Sequence, residues 1–514
     1  MPIPQWLTRD PLPRALAAAA SASYATHSIR LHRSFQSSGY DLGIFEQIVK
    51  SYADGRWPTA DLLGPGAPAL ADHFHPILVV LAPFYLLFPY PETLLVAQSC
   101  LFAVSVVPVT RLALRVHGKP VGSVIGIGYA MSWGLWSAVD FDFHEICFAV
   151  PLVALAVERL ATQQWKAAAA YALPLLLVKE ELALTVMGIG LYLIWRKQRP
   201  VGLALTIFSV TSFILVIVVI MPALSTDASY HQIRSLTAPI ATPIVAGWDT
   251  KLVTVLALLA PTAFVALRSP TVALAIPTLG WRFASGTPTH WGIYAHYSAV
   301  LMPIVFVAFV DGLRRLQETR RSIPCAAVVT CLVVTSLTTV MLAIRAPGKP
   351  RWTADQQAAA RHALTLVPDG VTVAASNRLA PQLTNRCRVM LYRSEQSTRS
   401  QWIVLDRQAD TPPTTGYVVI AELPHLAIFT MSASGHTPTG SVWWTKPQVA
   451  LRKPGTATTP LTGSSPLPGR TRSQARSTTA TARRSSTPRA PASRHWPGTV
   501  PTATPQHASP APTR

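Results

Sequence analysis

"LVKEEL", Leu177 to Leu182, sets three ionisable residues between two apolar stretches, 167–178 and 182–195. Whether the chain runs through it as one helix or breaks there decides the topology of everything downstream. Each stretch alone reaches only about 20 Å at 1.5 Å per residue, short of the ~30 Å hydrocarbon core of a bilayer. One continuous helix over 166–195 would carry Arg196, Lys197 and Arg199 to the side opposite the other basic loops, unless another crossing changed as well. We therefore read a break at 179–181. The short pieces, with a third at 270–283, are then tilted, partly re-entrant or buried inside a bundle.

The rest of the chain supports a membrane setting. Of 514 residues, 50% are hydrophobic and 13% charged, about half the charge of an ordinary soluble domain. The net charge of +21 is unevenly placed: residues 452–514 hold ten Lys/Arg, and no acid follows Glu422. That distribution describes topology and a basic tail rather than a nucleic-acid face. Cys100, Cys147, Cys325 and Cys331 lie in apolar runs and Cys387 outside them, with no disulfide or paired metal-ligand spacing. No cleavable signal peptide stands out, since the apolar stretch near 12–29 is Ala-rich and weak.

Apolar runs recur at 93–113, 120–139, 146–160, 201–222, 250–268, 297–313 and 323–344. Four basic clusters separate them: Arg111/Arg115/Lys119, Arg159/Lys166, Arg196/Lys197/Arg199 and Arg314/Arg315/Arg320/Arg321. All fall on one, cytoplasmic side if the N-terminus is inside, 12–31 is a first span and 74–90 is an interfacial hairpin. The reading is an all-α polytopic bundle of about eleven spans over 1–345, with a first outer loop at about 32–92 and the C-terminus outside. After 345, a helix over 353–366 and strands at 370–376, 388–392 and 402–406 predict a small α/β outer domain at 346–430. Residues 431–514 read as a low-complexity, disordered basic tail.

This topology sends the acidic and histidine-bearing loops to the opposite, outer face. They are "GYDLGIFEQ" (39–47), "ADHFHP" (71–76), "DFDFHE" (140–145), "KEE" (179–181), Asp227 with His231, and "HWGIYAH" (290–296). Asp41, flanked by Tyr40, Leu42 and Phe45, loses hydration at a membrane–water boundary and suits a general base, or else it caps a helix in solvent. Glu46, five residues on, is a second catalytic candidate, though it does not share a helical face with Asp41 and the two need not act as a pair. Asp140 and His144 would be i,i+4 on a helix and, with Asp142, offer hard ligands for magnesium or manganese; the other reading is a polar helix start. Lys179 fits a phosphate with Glu180 holding it in place, or the pair marks an exposed turn. His73 and His75, candidate substrate contacts or else structural, share a face only if extended. Tyr294 and His296 are either interfacial residues or phosphate contacts.

"YDLGIFEQ", "HFHPILVVLAPFYLLFP", "DFHEICFAVPL", "LLVKEELAL" and "HYSAVLMP" occur in the order found in domain-of-unknown-function family 2079, which the chain resembles over about 30–410. That family's layout is similar to the glycosyltransferase C superfamily: many spans, an Asp after the first span, and a small outer C-terminal domain. The resemblance implies a cell-envelope hexosyl or pentosyl transferase with a polyprenyl-phosphate sugar donor, a membrane lipid, as partner. It implies Asp41 as base and Lys179 with His296 or Tyr294 at the donor phosphate. The superfamily's frequent acid pair is missing, because Leu42 follows Asp41. The alternative is a transporter or flippase, whose charges would spread through the bilayer depth and serve a cavity open alternately to both sides. Nucleic-acid binding ranks last, and the oligomeric state is not legible.

Overall fold

The computed structural model describes residues 10–225, 245–320, 325–345, 351–393, 400–413 and 416–432. Asp227, His231 and the tail beyond 432 lie outside the described residues. What is described is a mostly helical bundle with one small sheet.

Helix α1 spans Leu12–Arg33. A π turn at Gly39–Gly43 leads into α2, Ile44–Ala53. A 3-10 turn at Pro76–Leu81 and a short helix at Ala82–Leu87 follow, leaving Phe84, Leu86, Leu87 and Phe88 exposed. The two form a single short apolar helical stretch, Pro76–Leu87, where a hairpin was expected. Helix α3 covers Pro91–Ala130 but doubles back at Gly118, where φ is +75 and Pro120 follows. Glycine tolerates that left-handed φ without a Cβ clash. The returning half packs so closely that a Cβ on Gly122 would sit 2.6 Å from the Leu114 backbone. Small residues at four-residue spacing permit such contact within a membrane. Helices α4 (Trp133–Phe141) and α5 (Ile146–Ala161) complete this part.

The break at "LVKEEL" is present. Helix α6 (Trp165–Ala172) continues as a 3-10 turn to Leu177, the chain opens at 178–181, and α7 runs Leu182–Trp195. It forms a second close hairpin with α8, Arg199–Leu215, where a Cβ on Gly202 would meet the Gly190 carbonyl at 2.7 Å. Helices α9 (Trp248–Leu259), α10 (Ile276–Ala284), α11 (Leu301–Arg320) and α12 (Cys325–Arg345) follow. Among the described residues, Pro91–Phe141 and Arg199–Leu224 are helical stretches long and apolar enough to cross a membrane, the first folded back at Gly118. Leu203, Ile207, Phe208, Ile214, Val218 and Val219 on the second stretch face outward, as lipid-exposed side chains do.

The basic clusters gather at one end. Arg111 holds Glu158 with two hydrogen bonds (3.1 and 3.0 Å), His117 reaches the Val310 carbonyl, Arg196 lies over the Trp165 ring, and Lys119 meets Asp10. Arg314 and Arg315 both pair with Asp311.

Helix α13, Ala354–Leu364, begins at a capping box between Thr353 and Gln356, which satisfies two otherwise unpaired backbone groups. The sheet has five strands in the order β2-β1-β3-β5-β4: β1 Thr372–Ala375, β2 Arg388–Leu391, β3 Trp402–Asp406, β4 Tyr417–Glu422 and β5 Leu426–Met431. Strand β1 is parallel to β2 and β3, while β5 is antiparallel to β3 and β4. Strands β4 and β5 were not expected from the sequence. One face of the sheet shares a continuous apolar core with the bundle, through Val373, Ala375, Leu379 and Val404. Its other face builds a second core from Ile403, Leu405, Tyr417 and Phe429.

Candidate functional site

Asp41 sits in the π turn, whose two glycines fix its position. A Cβ on Gly39 would fall 2.9 Å from the Ala380 Cβ, and one on Gly43 2.7 Å from the Leu62 side chain. Ser38 accepts from Tyr40 N and caps the turn. Its own N–H donates to Asp142 Oδ2 at 2.7 Å, tying "GYDLG" to "DFDFHE". Asp142 ends α4 with φ of +123, a region that costs a non-glycine residue about 1–3 kcal/mol and persists only where surroundings impose it. Gln98 is the clamp: its amide donates to the Asp142 carbonyl and its oxygen accepts from His144 N, both at 2.9 Å. Gln98 is fully buried and gave no signal in the sequence, where one glutamine in an apolar run looks incidental.

The sharp turn aims His144 at Asp41, Nε2 to Oδ1 3.4 Å, and stacks its ring on His296 at 3.7 Å. His296 is buried, and among the described residues neither of its ring nitrogens has a hydrogen-bond partner. Tyr297 and Phe141 flank it at 4.2 and 5.6 Å. Burial holds both histidines below the ordinary value, with His144 a further opposing charge for His296. They are therefore neutral near pH 7, each able to donate or accept. Arg282, fully buried, shapes the His296 loop by donating to the carbonyls of His290 (2.8 Å) and Gly292 (2.7 Å) and to Ser298. A charge inside "LGWRFA" was a readable sign that went unused.

Lys179 lies among acids. Its Nζ is 2.8 Å from Glu145 Oε1 and 3.7 Å from Glu181. Burial works against the charged forms, but the opposite charges prevail: Lys179 is held well above its usual value and Glu145 at about 2. Burial pushes Glu181 up to about 7. Glu180 does not hold Lys179 as the sequence suggested; it accepts from the His73 ring at 2.7 Å and from Phe74 N at 2.9 Å. Burial and Lys179 oppose protonation of His73, yet Glu180 raises it to about 9. His75 is buried near Phe45, and burial lowers it to about 4.

Other expectations are corrected by placement. Asp140 and His144 do not share a helical face, because α4 stops at Phe141; Asp140 pairs with His27 at 2.7 Å, Asp142 serves Ser38 and His144 serves Asp41. The three do not converge on one ion, and among the described residues no three His, Cys, Asp or Glu side chains do. Glu46 is apart from the Asp41 cluster: fully buried, its oxygens accept from the Tyr85 hydroxyl at 2.9 Å and from Thr384. Burial raises it to about 7. Tyr294 is exposed, and the left-handed φ of Ala295 separates it from His296.

Five loops distant in sequence thus meet around Asp41, at the opposite end of the helices from the Arg111–Glu158 pair. Glu145 and Glu158 bracket α5, about 20 Å apart at 1.5 Å per residue. A helical membrane bundle with a small α/β sheet and one cluster of ionisable loops is the architecture of a polytopic membrane protein. The chain belongs to the family described as "Predicted membrane protein (DUF2079)", matched over residues 31–418. No curated protein matches it. Among solved structures, ArnT from Cupriavidus metallidurans bound to undecaprenyl phosphate has a similar fold: TM-score 0.52 at 14% identity, covering 82% of this chain and 99% of that one. The apo form of that ArnT aligns over the same shares at 13% identity and TM-score 0.47. At that identity the likeness is one of fold alone.

Proposed function

We propose that this protein is a membrane glycosyltransferase that moves a sugar from a polyprenyl-phosphate donor to an acceptor at the outer face. The observation that carries the reading is the meeting of Asp41, His144 and the unpartnered His296 with Lys179 at the mouth of a glycosyltransferase C-type fold. ArnT's undecaprenyl phosphate supports the lipid class of the donor. In this scheme the N-terminus and basic clusters are cytoplasmic, the sheet is extracytoplasmic, and the bundle crosses the bilayer about eleven times.

Asp41 takes the proton of an acceptor hydroxyl, and His144 orients the carboxylate from 3.4 Å. The hydroxyl oxygen bonds to the anomeric carbon, and the bond from that carbon to the phosphate oxygen breaks. The electron pair stays on the polyprenyl phosphate. His296 donates to that phosphate and Lys179 supplies positive charge, screened in the resting protein by Glu145 and Glu181. Asp140, Asp142 and His144, which face different partners, take no part in this scheme as joint metal ligands. Ionisable groups placed at the two ends of the bundle, with the open cluster at one of them, rather than spread through its depth, favour transfer over transport.

The test supplies the purified full chain, in proteoliposomes, with polyprenyl-phosphate sugars and an envelope extract as acceptor. Loss of a positioned general base costs about 10²–10⁴-fold, so Asp41→Asn should lose at least a hundredfold in transfer. Transfer by that variant at the parental rate removes Asp41 from the chemistry.

A further inference from the structure

A second site lies on the sheet side of the molecule. A polar cavity of about 480 Å³ opens between α2 with its following loop and the β1–β2 region, lined by Lys50, Arg56, Asp61, Thr384, Arg386 and Arg388. Four cations face one carboxylate across it. Arg388 is matched with Asp61 through two hydrogen bonds of 2.8 and 2.9 Å. The other three are not matched inside the cavity. Lys50 Nζ is held by the carbonyls of Asn385 (2.8 Å) and Thr384 (3.3 Å), and among the described residues no carboxylate lies within 4 Å of it. Arg386 donates to the carbonyls of Val367 (2.6 Å) and Leu364 (2.7 Å) and is ion-paired at 2.8 Å with Asp369, which is exposed and does not line the cavity. Arg56 pairs only with its neighbour Asp54, which does not line the cavity.

The four cations meet three carboxylates, of which only Asp61 lines the cavity, and the carbonyls orient Lys50 without cancelling its charge, so the wall is preorganised and carries a net positive charge. Cationic donors fixed in place bind phosphate through short charge-assisted hydrogen bonds. The volume falls within the range of small-molecule sites. The rest of the lining consists of Gln, Ser, Thr, Gly and Cys residues and contains no large apolar side chain, which suits a hydroxyl-rich ligand and not a lipid tail.

We infer that this cavity is a binding site for a phosphorylated sugar, separate from the Asp41 centre. It is read by binding alone and does not depend on the transfer reaction. The experiment titrates the purified full chain in detergent with glucose 1-phosphate, with glucose and inorganic phosphate as comparison probes, by calorimetry. Glucose 1-phosphate should bind more tightly than either, and more weakly as NaCl rises from 50 to 500 mM. The double variant Lys50→Gln/Arg386→Gln should lose at least tenfold in affinity. If that pair disturbs folding, Arg56→Gln, whose side chain is exposed, should still lose about threefold. Asp41→Asn should bind as the parent does. Equal binding of glucose, parental binding by the charge variants, or loss caused only by Lys179→Gln would each overturn the inference, the last by moving the phosphate to the bundle.

Discussion

The two ends of α5 hold the same residue types and use them differently. At the Glu158 end, Arg111 grips the carboxylate with two bonds, and Asp311 accepts from Arg314, Arg315 and Ser269. Charge there is largely matched locally, although Arg115, beside Glu158, keeps two buried nitrogens without a hydrogen-bond partner among the described residues. At the Glu145 end, Lys179 is shared between two acids, His144 meets Asp41 only at 3.4 Å, and the buried His296 has no polar partner. Buried polar groups are nearly always satisfied, and those that are not need a reason. Charge that closes on itself builds topology; charge left open is available to a ligand.

The widest test of that contrast removes one cation from each end. Lys179→Met strands the buried Glu145 carboxylate, which costs about 3–5 kcal/mol; Arg111→Met should cost less, since Arg159 stays 3.5 Å from Glu158, and both are readable as thermal unfolding in detergent. The second substitutions separate the ends. Arg111→Met/Glu158→Gln should recover both stability and sugar transfer, whereas Lys179→Met/Glu145→Gln should recover stability and leave transfer lost. Recovery of transfer in both doubles would make the two ends equivalent.

Next in size is a pH effect at Glu46, which joins the outer loop to the sheet through Thr384. Burial raises it from 4.5 to about 7. The folded protein therefore holds this proton more tightly than the unfolded chain, so stability falls as pH rises from about 4.5 to about 7 and is level above. The full span is about 3 kcal/mol. Glu46→Gln should flatten that slope in melts taken between pH 4.5 and 8, and an unchanged slope would assign it to another group. Transfer at pH 8 should survive in this variant, since Glu46 does not touch the Asp41 cluster.

The smallest expected change is at the closed end. Arg314 is half-exposed, and pairs of that kind contribute under about 1 kcal/mol. Arg314→Ala should shift unfolding by no more than that and leave transfer untouched. A larger loss would show that the Asp311 group carries more than a surface network.

How far the site was legible follows from what a linear pattern encodes. The break at 178–181 was readable because apolar lengths and basic loops constrain it together. The convergence of the acid loops followed from the same argument, and the structure places 39–46, 73–75, 142–145, 179–181 and 290–297 at one end. Pairings were not readable. Lys179 was matched to its sequence neighbour Glu180, while the fold gives it Glu145, and Asp140 went to His27 instead of His144. Strands β4 and β5 were missed although "YVVIAE" and "LAIFTM" are strand-like.

By itself the sequence determined the membrane setting, the break at "LVKEEL" and the gathering of the acid-bearing loops among the described residues at one end, since hydrophobic length and charge placement are properties of short segments. Only the tertiary structure decided that Gln98 and Ser38 hold Asp142 in a left-handed turn, that two histidines stack beside Asp41, and that Glu46 serves the sheet. Those outcomes depend on which distant surfaces are buried against each other, and the free energy of a buried charge or hydrogen bond is set by partners that no local pattern names.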